Sequence, residues 1–382
     1  MAQFTVNFAG DISYGYLRGM LRGVTRYNRT QGHWKFVLDP KGISSVIERA
    51  QSSRIDAVIG QFNTLEELQA IESAGMVAVN ISNRLSSNLI PRVVSDDLRV
   101  GELAARYFME RGFRNFAYLT LDKAIEFSRL RGEGFTREVE KAGLGSVHHL
   151  PPASKTAEAK ERSRERLNWI KSLPEQTAVF TANDHIGRYV VEACLELGRS
   201  VPDDIAVLGV DNDEVQCELA DVPLSSVQLA SEKIGYEAAS LCADLLAGKP
   251  TPSEPITVLP VNVVTRQSTD VLAVQDDQVR AAIRYIRENA TKGIQVRHVL
   301  TAVKLSRRML ELRFRKAMNC TVHDEISRVR VEAAKRLLAE SDLPVSEIAK
   351  LAGFREAFYL STSFRRTTGI TPRDYRRQFR LS

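Results

Sequence analysis

Short apolar runs alternate with longer amphipathic segments up to about residue 270. The runs are rich in β-branched residues and occupy 4–8, 57–60, 77–81, 116–119, 178–181 and 205–210. Between them, as in 17–27, 98–109 and 167–173, apolar residues lie three and four positions apart. This alternation predicts buried parallel strands joined by helices on right-handed crossovers. So many runs favour two sheets over one, and the fold class is α/β.

From residue 276 onward the spacing is that of helices alone. One apolar helix face (Val279, Ala282, Ile283, Ile286) precedes Gly293, which is typical of a helix end. Two similar units follow over 296–314 and 345–364, each a short apolar helix, a turn and a second helix. A longer helix over 323–339 separates them, and Pro344 cannot continue it. The pattern predicts an all-α domain with two helix-turn-helix units.

Charge is divided unevenly along the 382 residues. The chain has a net charge of +6, but residues 276–382 carry 23 Lys and Arg against 12 Asp and Glu. Residues 1–275 therefore carry a net charge of −5. A basic segment attached to an acidic remainder indicates a polyanion as partner. The alternatives are a solvated basic surface and a small helical bundle without DNA-binding activity.

Composition and missing motifs exclude several classes of protein. The apolar content of 43% is ordinary for a globular protein, and no apolar run approaches the ~18 residues that a membrane helix needs. We find no signal peptide, so we expect a cytoplasmic protein without a membrane partner. The four cysteines lie far apart in the sequence, which favours buried thiols over a disulfide framework or a zinc site.

Catalytic motifs are also missing. The sequence lacks G-x-G-x-x-G after its first strand, a Walker loop, H-E-x-x-H and G-x-S-x-G, and its six histidines form no plausible metal or nucleophile set. His185, beside Asp184, is explained by packing at a helix start. We therefore expect no enzyme, no cofactor and no metal.

Polar residues follow several of the predicted strands, at 10–14, 95–97, 181–184 and 209–213. Asp and Asn at such places can cap the next helix, which is the better interpretation for any one of them. They can also bind a ligand, because ligands of parallel sheets lie beyond the strand carboxyl ends. Four such groups, joined by an arginine, favour a site for a polyhydroxylated ligand.

Residues 1–273 resemble the effector-binding core of the LacI/GalR regulators, which is related to periplasmic sugar-binding proteins. The resemblance rests on the order and spacing of six segments, 95–101, 131–135, 181–184, 201–212, 223–227 and 260–269. It implies two doubly wound subdomains of periplasmic-binding-protein type that close over a small molecule, with three chain crossings between them. LacI/GalR proteins begin with a helix-turn-helix, whereas the first strand here starts by Gln3 or Phe4, so DNA must be bound elsewhere.

The same resemblance assigns effector-binding positions residue by residue. They are Asp96, Arg131, Asn183 and Asp211, with Asn212 as a further contact. Arginine offers a rigid fork of donors, and carboxylates accept charge-assisted hydrogen bonds from hydroxyls. Apolar faces for a sugar ring are expected from Tyr14, Tyr16 and Phe62, although a core role suits each aromatic equally well.

Residues 274–382 resemble the AraC/XylS DNA-binding domain. The signature residues are Ala334, Leu337, Leu338, Ile348, Ala349, Gly353, Phe354, Phe364, Arg365, Gly369, Ile370, Thr371, Pro372, Tyr375 and Arg376. The resemblance assigns base reading to Arg307, Arg308 and Glu311 in the first unit and to Ala357, Phe358, Ser361 and Thr362 in the second. Phosphate contacts are expected from Lys304, Arg315, Lys316, Arg365, Arg366 and Arg373. The family often has a polar residue where Phe358 stands, so base reading by the second unit is the weaker expectation.

Together the two parts imply a sugar-responsive, DNA-binding regulator of transcription, expected to activate genes of pentose catabolism. A pentose is the expected effector, duplex DNA and RNA polymerase are the expected partners, and a homodimer is expected from both families. The alternative is a non-regulatory sugar-binding or sugar-converting α/β protein.

Overall fold

The computed structural model describes residues 4–120, 125–150, 159–271, 273–274, 276–318 and 320–379. The chain divides into two compact units. The first unit comprises Met1–Arg106 and Asn115–Asp270, and the second comprises Tyr107–Arg114 and Val271–Ser382.

The first unit contains the predicted alternation of strands and helices. Its strands are β1 (Thr5–Ala9), β2 (Lys35–Asp39), β3 (Ala57–Gly60), β4 (Val77–Asn80), β5 (Val93–Ser95), β6 (Asn115–Leu119), β7 (His148–His149), β8 (Thr177–Thr181), β9 (Ile205–Val210), β10 (Ser225–Gln228), β11 (Ile256–Val258) and β12 (Asn262–Val264). The helices that begin in it are α1 (Gly15–Tyr27), α2 (Ile43–Ala50), α3 (Leu65–Ser73), α4 (Asp97–Met109), α5 (Glu126–Lys141), α6 (Ala159–Ser172), α7 (Asp184–Glu196), α8 (Glu214–Leu219) and α9 (Ser231–Leu246).

These strands form two main sheets, as predicted. The first sheet is parallel, in the order β2-β1-β3-β4. The second has the order β12-β10-β9-β8-β6-β7, in which β12 alone is antiparallel to its neighbour. A short parallel pair joins β5 to β11. The predicted architecture of two α/β subdomains is confirmed.

Helices α1 and α9 pack on the first sheet with their backbones in close contact. A Cβ added at Gly23 would lie 1.9 Å from the Glu232 carbonyl oxygen, and one added at Gly235 would lie 1.9 Å from the Met20 carbonyl oxygen. Only glycine permits this approach. The two helices and the sheet enclose a core that includes Phe8.

The second unit is helical, as the sequence predicts. Its helices are α10 (Asp277–Asn289), α11 (Val296–Val303), α12 (Arg307–Met318), α13 (Val322–Glu340), α14 (Val345–Leu351), α15 (Ala357–Thr368) and α16 (Pro372–Phe379). The pairs α11–α12 and α14–α15 are the two helix-turn-helix units. Gly293 and Gly353 have φ values of 77° and 84°, which explains glycine at these turns.

Residues Tyr107–Arg114 belong to the second unit although they lie far from it in sequence. Arg328 on α13 lies 2.8 Å from a carboxylate oxygen of Glu110. Arg114 donates to the Ala317 carbonyl oxygen at 2.7 Å. These contacts fix the segment against α12 and α13.

Candidate functional site

A buried arginine lies between two carboxylates at the strand ends of the first unit. Arg131 is on α5 and is only 4% exposed. Its Nε donates to Asp97 Oδ1 at 2.8 Å, and its Nη1 donates to the Ala182 carbonyl oxygen at 2.6 Å. Nη1 also lies 3.9 Å from Asp211 Oδ1. The guanidinium thus joins the loop after β8 to the start of α4 and faces the loop after β9.

The charges of this cluster influence one another strongly. Burial alone would lower the pKa of Arg131, but Asp97 and Asp211 outweigh burial and raise it. Burial raises the pKa of Asp97, with Arg131 and Asn83 acting against it. Burial also raises the pKa of Asp211 to about 7, opposed by Arg131 and reinforced by Asp97 and Asp213. Asp211 can therefore accept or donate a hydrogen bond near neutral pH, which suits a hydroxylated ligand.

Two of the predicted polar residues cap helices in this structure. Asp96 Oδ1 accepts from the Arg99 backbone N–H at 3.1 Å, and Asn183 Oδ1 accepts from the Ile186 N–H at 3.0 Å. Both residues remain half-buried. The capping interpretation therefore describes these oxygens, and the carboxylate bound to Arg131 is that of the adjacent Asp97.

The loop after β9 is held by side chains that sequence reasoning did not single out. Asp184 is 2% exposed, and its carboxylate accepts from Ser226 Oγ at 2.6 Å and from the Asp213 N–H at 2.8 Å. Burial raises the pKa of Asp184 well above its usual range, and the Asp211 charge adds to the effect. The predicted contact Asn212 accepts from Arg266 Nη2 at 2.9 Å. Side chains from α7, from β10 and from the segment after β12 therefore hold this loop in place.

Asp213 links this loop to the start of α1. Its Oδ2 accepts from the Gly15 N–H at 2.7 Å, and Arg18 lies 3.7 Å from its Oδ1. A carboxylate at a helix N-terminus is favourable because the orphan N–H groups there carry partial positive charge. The contact connects α1, which packs on the first sheet, with the loop that follows β9 of the second sheet.

The predicted aromatic residues occupy different environments. Tyr16 lies close to the charged cluster, since Asp97 and Asp211 add to burial in raising its pKa while Arg131 lowers it. Tyr14 is 58% exposed, and Phe62 is fully buried in the core beside α2 and α3. Phe127, which was not predicted, places its ring centroid 4.9 Å from the Arg131 guanidinium carbon. Its position on α5, one turn before Arg131, was the available signal.

The two helix-turn-helix units present basic side chains beside their apolar contacts. On α12, Leu310, Phe314 and Met318 are buried, whereas the predicted DNA-contacting basic residues are exposed. These exposed residues are Arg307, Arg308, Arg315 and Lys316. Glu311 is half-buried. This arrangement suits a helix that reads the major groove.

The second unit differs in its recognition helix. On α15, Phe358 is 70% exposed and Ala357 and Ser361 are half-buried. Thr362 is exposed, and its hydroxyl donates to the Phe358 carbonyl oxygen at 3.0 Å. The remaining predicted DNA contacts, Lys304, Arg365, Arg366 and Arg373, are exposed, with Arg366 lying 3.7 Å from Asp324. An exposed phenylalanine favours contact with a thymine methyl over a hydrogen bond to a base edge.

Across the described parts of the chain, no group of three or more His, Cys, Asp or Glu side chains is placed to hold a metal ion. The four cysteines are free thiols. No described helix is long and apolar enough to cross a membrane.

An α/β unit with a buried charged cluster at its strand ends and a helical unit with two helix-turn-helix motifs together define a ligand-responsive transcription regulator. Comparison with known proteins agrees with this class. The model of the periplasmic binding protein-like domain matches residues 105–269, and that of a helix-turn-helix domain matches residues 299–378.

Full-length relatives narrow the class. The chain is 30% identical to the xylose operon regulatory protein of Escherichia coli K12 over 94% of each chain, and 28% identical to that of Haemophilus influenzae over 94% of this chain and 95% of the relative. A solved structure of a xylose-binding transcription activator, XylR, is 27% identical, with a TM-score of 0.61 over 99% of this chain and 98% of that one. The chain belongs to the family of xylose operon regulatory proteins. The predicted family and fold class are thereby confirmed.

Proposed function

We propose that the chain is a cytoplasmic transcription activator that binds a pentose, D-xylose foremost, between its two α/β subdomains. The names of the relatives support xylose as the effector, and the cluster of Asp97, Arg131 and Asp211 supports the location of the binding site. DNA binding is assigned to the helical domain, for which we retain the boundary 273/274. RNA polymerase and a second copy of the chain are the further partners that we propose.

The position of Arg131 between Asp97 and Asp211 is the observation that carries the proposed sugar site. Arg131 donates hydrogen bonds to sugar oxygens, and Asp211, at 24% side-chain exposure, accepts from sugar hydroxyls. Asp97 holds the guanidinium in place. Tyr16 supplies part of an aromatic wall.

The cap residues have a second role in this proposal. Asp96, Asn183 and Asn212 hold the loops around the cluster, and each retains polar atoms for a sugar. Tyr14, which is largely exposed, stays a proposed sugar contact, whereas Phe62 is enclosed in the core, which was the alternative role expected for it.

Sugar binding regulates DNA binding only if the sugar has different affinities for two states of the protein. The contact between Asp213 and the start of α1 suggests how the two states differ. This contact joins α1, on the first sheet, to the loop after β9, on the second. A sugar bound between the two subdomains would favour the same closed arrangement. The proposed dimer then presents its helix-turn-helix units differently in the two states.

Isothermal titration calorimetry with aldopentoses and aldohexoses tests the site. We expect a pentose to bind the parent chain. We expect Arg131→Ala, measured under conditions in which its unfolding curve shows it to be folded, to bind more weakly by ~1–3 kcal/mol, because hydroxyls lose their donor. Arg129→Ala is the matched control. Arg129 lies on the same helix but is exposed and pairs with Glu126 and Glu133. Equal binding by the parent and Arg131→Ala, or loss in the control, would contradict the assignment.

We also propose that the chain leaves the sugar chemically unchanged. The relatives are transcription regulators, and the cluster is explained by sugar binding alone. Chromatography of D-xylose after prolonged incubation with the protein checks this, and we expect full recovery of unchanged sugar. Appearance of a product that depends on protein concentration would instead support the sugar-converting alternative.

A further inference from the structure

Helix α1 and the π-helical turn that follows it, Asn28–Gly32, carry a row of arginines that the proposed sugar site does not use. Arg18, Arg22, Arg26 and Arg29 follow one another at intervals of four, four and three residues. At 3.6 residues per turn, the three positions on α1 fall within an arc of about 80°, and Arg29 follows them on the π-helical turn. They line a groove of ≈690 Å³ together with two threonines, Thr25 and Thr30, and two half-buried apolar residues.

The charge of this segment is opposite to that of its surroundings. Five basic residues and no acidic residue lie between Asp11 and Asp39, whereas residues 1–275 have a net charge of −5. A positive row on an acidic part of the chain concentrates a local attraction for anions.

Two of the four arginines have carboxylate neighbours and two do not. Arg18 lies 3.7 Å from Asp213, and Arg26 lies 3.5 Å from Glu232. Arg22 and Arg29 are exposed, and within the described ranges no carboxylate oxygen lies within 4.0 Å of either guanidinium. These two side chains are available to a partner.

The shape of the row indicates an extended anion. The row spans about 16 Å along the helix axis, so its donors do not converge on a single phosphate or carboxylate. One strand of duplex DNA carries a phosphate every ~3.4 Å of helix axis, which places about five phosphates along this length.

The side chains of the groove also distinguish nucleic acid from protein. Protein interfaces are organised around apolar or aromatic anchors. The groove's apolar residues, Ile12 and Leu21, already pack against the core. Arginine and threonine, which make up the rest of the groove, are common phosphate contacts.

We infer that this arginine row is a second DNA-binding surface, which contacts the phosphate backbone of duplex DNA independently of sequence. Arg22 and Arg29 contribute the free guanidiniums. Arg18 and Arg26 divide their charge between the DNA and their carboxylate neighbours.

The salt dependence of DNA binding tests this inference without any sugar. The full-length parent and Arg22→Ala/Arg29→Ala are titrated with a random-sequence duplex about six helical turns long, over a range of salt concentrations. Each lost phosphate contact lowers the slope of log Kobs against log salt concentration by about 0.9, so we expect a decrease of about 2. Lys141→Ala/Lys171→Ala is the control, because it removes two exposed charges from the same unit.

A thermal unfolding curve that matches the parent shows that the variant is folded, and we expect this because both arginines are exposed. Arg22→Lys/Arg29→Lys should restore most of the slope, since the charge returns. If the alanine variant has the same slope of log Kobs against log salt concentration as the parent, the inference is overturned, even if another anion binds the row. An equal decrease in the lysine control overturns it too, because any two charges would then have the same effect.

Discussion

Replacing Arg131 with methionine should destabilise the first unit severely. Arg131 is 4% exposed, and its partner Asp97 is 1% exposed. Without the guanidinium, the described hydrogen bond that remains to the Asp97 carboxylate comes from Asn83 Nδ2 at 2.8 Å. Breaking a buried pair by removing one partner costs about 3–5 kcal/mol, because the other charge stays buried without compensation. Methionine keeps much of the apolar volume, so little of this loss comes from a cavity.

The double variant Asp97→Asn/Arg131→Met distinguishes the effect of the lost ion pair on stability from the effect of lost packing. Replacing both partners removes the uncompensated charge, so we expect most of the stability to return. Urea unfolding of the full-length chain followed by tryptophan fluorescence measures this, because the chain's two tryptophans, Trp34 and Trp169, both lie in the first unit. Arg129→Met, on the same helix, should change stability by less than about 0.5 kcal/mol.

The pH dependence of the single variant provides an independent check. Burial raises the pKa of Asp97, and Arg131 opposes that shift, so the pKa rises further once Arg131 is replaced. The loss of stability caused by Arg131→Met should therefore be small below ~3.9, the pKa of Asp97 in the unfolded chain. It should grow as the pH rises through the higher pKa of Asp97 in the folded variant. A loss below about 1 kcal/mol at pH 7, or a double variant as unstable as the single one, would refute this reasoning.

Three further substitutions test other parts of the account. In the parent, the raised pKa of Asp211 favours the folded state at low pH, so the contribution of this residue to stability falls as the pH rises from about 4 to about 7. Asp211→Asn should remove that fall, and denaturation of both proteins at several pH values measures the difference. Gly23→Ala should cost at least ~1–3 kcal/mol, because its Cβ would overlap the Glu232 carbonyl oxygen on α9; a melting temperature equal to the parent's would contradict that packing. Arg308→Ala should cost ~1–3 kcal/mol of DNA affinity and relax preference at one base pair; selection from a randomised operator shows this, whereas an equal loss on all sequences would make Arg308 a phosphate contact.

Periodicity predicted the main elements well because their apolar faces are regular. The run at 205–210 is β9, and the predicted helix 323–339 is α13, observed as Val322–Glu340. Short pairings such as β5 with β11 carry too few residues for a period to show. The grouping of Tyr107–Arg114 with the second unit depends on pairs such as Glu110 and Arg328, which are 218 positions apart.

The candidate site was predictable in kind but not in every residue. Arg131 was singled out and lies in the cluster. Asp96 and Asp97 are adjacent and chemically identical, so only packing decides that the second is buried against Arg131. Asp213 was not predicted as a contact, because its partner Gly15 lies 198 positions earlier.

The proposed pentose effector must change how the chain binds DNA. Fluorescence anisotropy of the full-length protein on a labelled promoter duplex from a pentose-catabolism gene, with and without D-xylose, measures this at one salt concentration. We predict that Kd changes by at least about fivefold with D-xylose or another aldopentose, the lower end of typical coupling, and that Arg131→Ala needs a higher sugar concentration to produce the change, in proportion to its weaker sugar binding. An unchanged Kd with every aldopentose, at concentrations that saturate the calorimetric site, would contradict the account.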